Sequence, residues 1–81
     1  MIKILFFAQT RELVGTACLE LEASAITIAD LINHLSLKGD NWHYALKEKT
    51  PLCAVNKQLV DDSHVIGAND EIAFFPPVTG G

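Results

Sequence analysis

The chain has 81 residues, of which 49% are hydrophobic, the size and composition of one folded domain and not of a disordered chain. So short a chain hides only about 60% of the surface that its unfolded form exposes, which allows one modest core and little room for a deep active site. The formal net charge is -4, and Lys3, Arg11, Lys38, Lys47, Lys49 and Lys57 are scattered without a basic run, which argues against nucleic acid as a partner.

The first residues, Met1-Ile2-Lys3-Ile4-Leu5-Phe6-Phe7, begin at once with a strand-like pattern, with no basic leader followed by a small-residue cleavage site, so no secretory signal is expected. No apolar run is long enough to cross a bilayer. Residues 2–8 read as a strand, with Ile2, Ile4 and Phe6 on one face and Lys3, Leu5 and Phe7 on the other. Thr10 is placed to cap a short helical turn over residues 11–14, which Gly15 would end in a left-handed conformation. Residues 17–22 alternate again, with Leu19 and Leu21 inward and Cys18, Glu20 and Glu22 outward.

Thr27-Ile28-Ala29-Asp30 fits a helix start, a hydroxyl followed by an acid three residues on. Ile28, Leu31, Ile32 and Leu35 then form one apolar stripe, and Gly39 is placed as its stop. Asp40 would cap a shorter helix in which Trp42, Ala45 and Leu46 share a face. Pro51 breaks that segment. Residues 52–56 and 58–60 read as short strands around a turn near Asn56-Lys57, and residues 61–63 and 67–70 as polar turns. Residues 71–75 are the last strand, with Ile72 and Phe74 inward and Ala73 and Phe75 outward. This order predicts an α+β domain over residues 1–75, one mixed sheet packed on one main helix with short helices beside it, followed by a flexible tail over 76–81.

That tail carries the chemistry. Pro76 and Pro77 stop the last strand and favour an extended exit, while Gly80 and Gly81 have no side chains and would pass through a narrow channel. The terminal carboxylate, ionised at neutral pH with an ordinary pKa of about 3.3–3.7, must become an activated acyl group before it can take up sulfur.

The opening residues 4–15 and the ending Phe74-Phe75-Pro76-Pro77-Val78-Thr79-Gly80-Gly81 resemble the small subunits of molybdopterin synthase. Ala54-Val55-Asn56, Leu59-Val60 and Asp70-Glu71-Ile72-Ala73 also match in position, whereas residues from about 17 to 50 carry little signature. The resemblance implies a ubiquitin-like β-grasp fold with the first and last strands side by side. It implies that an E1-like enzyme adenylates Gly81 with ATP, that a sulfur donor system makes the thiocarboxylate, and that two large catalytic subunits each receive one tail in a heterotetramer. It implies no bound cofactor and no metal. An apolar patch at Phe7, Leu59 and Phe75 would bind both partners. Arg11 would stand at its rim, and Pro76, Pro77, Val78 and Thr79 would lead Gly80 and Gly81 into the partner's site. The alternatives are a carrier for thiazole synthesis, a ubiquitin-like modifier and a β-grasp interaction module with an inert tail.

The remaining reactive residue types have plainer roles. Cys53 fills core space beside Val55 and Cys18 lies on a strand surface, in a chain expected to be cytoplasmic and reduced. His34, His43 and His64 show no metal-ligand spacing. Asp61-Asp62 and Asp70-Glu71 belong to solvated turns, and Trp42 packs at the core's edge.

Overall fold

In the computed structural model, which describes residues 1–77, the chain forms an α+β fold with seven strands. β1 (Ile2–Phe6) leads through α1 (Ala8–Val14) into β2 (Cys18–Leu21). β3 (Ile26–Thr27) precedes the main helix α2 (Ile28–Ser36), and α3 (Asp40–His43) continues into a π-helical stretch over Tyr44–Glu48. β4 (Leu52–Val55), β5 (Gln58–Val60), β6 (Val65–Ile66) and β7 (Glu71–Phe75) complete the order.

Five strands make one mixed sheet in the order β2-β1-β7-β4-β5. β1 and β7 are parallel neighbours at its centre, and their outer partners run antiparallel. The expected pairing of first and last strands is therefore present. β3 and β6 form a separate two-stranded ribbon, Ile26 opposite Ile66. The sequence reading missed this ribbon, because two-residue strands are too short to show a period of two.

Alternation explains the core. Ile2, Ile4, Phe6, Ile72 and Phe74 are 0–1% exposed and pack with Ile28, Leu31 and Leu35 of α2. Phe6 stacks on Phe74 with ring centroids 6.0 Å apart, and Trp42 meets Phe6 edge-on at 5.5 Å. These aromatic contacts join the short helix to the sheet, so Trp42 is an edge-packing residue as expected.

Caps set where the elements begin and end. The Thr27 hydroxyl accepts the Asp30 N–H at 3.1 Å, the expected start of α2. Gly15 adopts φ 82° and donates to the Arg11 carbonyl at 2.9 Å, the expected stop of α1. Two capping assignments need correction. Thr10 is no cap: β1 ends at Phe6, the chain turns at Ala8 with φ 52°, and α1 starts early enough to bury Thr10 inside it. Gly39 does not stop α2, which ends at a right-handed Leu37; it precedes α3, so Asp40 is that helix's first residue and not its cap.

The β4–β5 hairpin turns on Asn56 and Lys57 at φ 50° and 71°, the paired left-handed residues that a two-residue hairpin requires. Asn56 also ties this turn to β7. Its N–H donates to the Glu71 carbonyl at 2.8 Å, and its side-chain oxygen accepts the Glu71 N–H at 3.0 Å.

Candidate functional site

The face of the sheet turned away from α2 is built by the other half of each alternation. Strand register arranges it in three rows. The first is charged, with Glu20, Lys3 and Glu71 side by side on β2, β1 and β7. The second crosses all five strands as Cys18, Leu5, Ala73, Ala54 and Leu59. The third is apolar and bulky: Phe75 lies opposite Leu52, and Phe7 flanks Phe75 on the other side, its N–H donating to the Phe74 carbonyl at 3.0 Å. Polarity therefore falls along the strands toward the end at which β7 finishes.

Phe7 is 47% exposed and Leu59 is 68% exposed, while Phe75 is half-buried. A contiguous exposed apolar surface of this kind usually marks a binding site. Phe7, Leu59 and Phe75, separated by up to 68 positions in the chain, lie on one face. Leu52, 38% exposed and paired with Phe75, belongs with them. Sequence reasoning did not single it out; counting back along β4 from the β4–β7 register would have found it.

Arg11 is exposed on α1, one helical turn beyond Phe7, and its N–H donates to the Phe7 carbonyl at 3.3 Å. Pro76 is half-buried and Pro77 exposed directly after β7. Val78, Thr79, Gly80 and Gly81, to which the sequence reading gives the transferred group and its approach, lie outside the described residues.

Of the other reactive side chains, Cys53, Asp61 and Asp70 are engaged in structure. Cys53 is buried, and burial, with a smaller contribution from Asp62, pushes its thiol up to about 12, so it stays protonated at neutral pH. Cys18 is exposed on β2. Asp61 accepts from the Ser63 hydroxyl and backbone N–H, which hold its carboxyl below the usual range. Asp70 accepts from the Gly67 N–H at 2.7 Å and from the Asn56 amide at 3.0 Å, with the same effect. These acids are turn residues, as read from the sequence. Among the described residues no three His, Cys, Asp or Glu side chains come together to hold a metal ion. None of the helices there is long and apolar enough to cross a membrane.

Two open hollows flank α2. One, about 270 Å³, is lined by Ala29, Ile32, Leu46 and Pro51; the other, about 370 Å³, by Leu21, Ala23, Ile26 and Leu31. The first reaches Thr50 and Pro51, just before Leu52, and the second lies at Leu21 and Glu22, at the end of β2.

Comparison with known proteins adds the chemistry. A family model described as the ThiS family matches residues 4–81. The chain is 51% identical to the molybdopterin synthase sulfur carrier subunit of Escherichia coli strain K12, over 100% of both chains. Its fold is shared with the small archaeal modifier protein 1 of Methanosarcina acetivorans (TM-score 0.77, 25% identity, covering 99% of this chain and 95% of that one). It is shared too with a complex of subunits 1 and 2 of the molybdopterin-converting factor from Helicobacter pylori (TM-score 0.66, 23% identity, covering 99% and 97%), a likeness of fold alone.

Proposed function

The chain belongs to the ThiS family, and on that premise we propose that it is a sulfur carrier subunit of molybdopterin synthase. The observation that carries this reading is the 51% identity, across the whole of both chains, to a protein of that name. The geometry supports it. A partner covering Phe7, Leu52, Leu59 and Phe75 would stand where β7 ends and the last six residues begin.

The chemistry follows from the state of a carboxylate. Ionised, it resists attack, so an E1-like enzyme first joins Gly81 to AMP from ATP and releases pyrophosphate. Sulfide from the sulfur donor system then attacks the acyl carbon and displaces AMP, leaving a thiocarboxylate on Gly81. That sulfur is delivered to cyclic pyranopterin monophosphate in the large subunit of the synthase, where it becomes part of the molybdopterin dithiolene. Both partners use the apolar outer face, so they bind in turn, with Arg11 at the rim. This division of labour leaves the chain non-catalytic alone, which fits a domain whose Cys53, Asp61 and Asp70 are held in core or turns. Two carriers would serve a pair of large subunits in a cytoplasmic heterotetramer.

Reconstitution tests the reading. The thiocarboxylated chain, mixed with a molybdopterin synthase large subunit and cyclic pyranopterin monophosphate, is expected to yield dithiolene product. Charged chain that gives no product would assign it to another sulfur pathway. The fold it shares with an archaeal modifier supports a second reading. A stable amide bond between Gly81 and lysines of other proteins, instead of thiocarboxylate, would favour that modifier role.

A further inference from the structure

β7 is a central strand, so its end must be closed on two flanks. Its register states which residue faces which. Lys3 donates to the Asp70 carbonyl at 3.1 Å and Phe7 donates to the Phe74 carbonyl at 3.0 Å. In an evenly spaced parallel ladder these bonds make the even-numbered residues of β7 the donors to β1. On the other flank, Asn56 donates to Glu71 at 2.8 Å. Antiparallel bonding alternates, so Glu71, Ala73 and Phe75 face β4, opposite Asn56, Ala54 and Leu52, with the Glu71 N–H taken by the Asn56 side chain.

Extending this pattern by two residues places Pro76 toward β1 and Pro77 toward β4. The acceptor for residue 76 would be the Phe7 carbonyl. Phe7 keeps extended backbone angles, φ -122° and ψ 152°, and its oxygen already receives the Arg11 N–H that begins α1. A carbonyl has two lone pairs, so room remains for a second donor; proline supplies none. On the β4 flank, residue 77 would meet Thr50. Pro77 cannot donate there, and Thr50 itself has left the strand with φ 42°, a conformation rare for a β-branched residue.

We propose that Pro76 and Pro77 form a two-sided stop in which Pro76 leaves the β1 flank and Pro77 the β4 flank without a donor, ending β7 at Phe75. The β1 flank depends on Pro76 alone, since Phe7 keeps a free acceptor there, whereas Thr50 already helps to close the β4 flank. For sulfur transfer the consequence is reach. Six residues follow Phe75, and any six-residue segment reaches at most about 20 Å at about 3.3 Å per residue; holding two in the sheet would cut that reach to about 13 Å. Pro76 and Pro77 are positioning residues in this account. The stop itself stands on the ladder, and its effect on sulfur loading rests on the carrier reading.

The test uses the full-length chain and its Pro76→Val, Pro77→Thr and double variants. Amide hydrogen exchange by NMR reads the ladder directly. The amide of residue 76 in Pro76→Val is expected to exchange at least about tenfold more slowly than in the unfolded chain. Residue 77 should gain less protection in the double variant, because Thr50 has turned away from it. Unfolded-chain exchange rates at both positions in the double variant would overturn the proposal. Sulfur loading by the activating enzyme, ATP and sulfur donor, read by intact mass, should fall in the double variant. Insertion of two glycines after residue 77 should restore loading; a protected ladder with no rescue would overturn the reach argument. If the wild-type chain takes up no sulfur, the carrier reading fails, and the exchange rates still decide whether the stop exists.

Discussion

Phe6 and Phe74 lie on one side of the central strands; Phe7 and Phe75, each one position further along, lie on the other. The first pair is 0–1% exposed and stacked beneath α2. The second stands on the outer face, beside Leu52. The residues are chemically identical and adjacent, so hydrophobicity alone does not separate structural from binding aromatics. Position in the pleat does. Inner aromatics stabilise the fold, and outer aromatics remain available to a partner that supplies the missing half of their burial.

This contrast makes graded predictions. Phe74→Ala should cost about 3–5 kcal/mol of stability, a large share of what a small domain possesses, measured by urea unfolding. Phe75→Ala should cost little stability. It should instead weaken binding to the activating enzyme or the large subunit by about 2 kcal/mol, roughly thirtyfold, measured by calorimetric titration. Equal stability losses for the two variants would erase the distinction between the faces.

The inner-face thiol gives a pH test. The folded chain holds the Cys53 proton up to about 12, against an ordinary value of 9.0. It therefore binds more protons than the unfolded chain between those values. Stability should fall as pH rises from about 9 to about 12, by at most about 1.4 kcal/mol per pH unit. The Cys53→Val variant should lose that slope. At neutral pH a thiol reagent should label exposed Cys18 in the native chain and reach Cys53 only on unfolding.

The smallest effect concerns α2, which covers the inner face. Thr27→Ala removes the bond to the Asp30 N–H and should cost about 1 kcal/mol of stability, with partner affinity unchanged. A binding loss in this variant would mean that the helix side also meets the partner.

Much of this division was readable from alternation. Ile2-Ile4-Phe6 and Ile72-Phe74 were assigned to one face and Phe7 and Phe75 to the other without coordinates, because a half-buried strand writes its two faces at a period of two. The apolar stripe and cap of α2 were equally plain. Leu52 was harder, because a single exposed leucine after Pro51 gains meaning only from Phe75 across the ladder. The β3–β6 ribbon has too few residues to carry a pattern. Thr10 looked like a cap because hydroxyls usually serve helix starts; the positive φ at Ala8 moved the start upstream, and no local residue preference announces that. The family likeness, carried by residues at both ends of the chain, supplies what periodicity does not: the reaction proposed at Gly81.

That reaction is tested most directly by intact-mass analysis. The full-length chain and a variant lacking Gly81 would be incubated side by side with the E1-like enzyme, ATP and sulfur donor. The account predicts that the full-length chain gains the mass of one oxygen replaced by sulfur and that the shortened chain gains nothing. An unchanged full-length mass, under conditions that charge a known carrier, would contradict it, as would the same gain in both chains.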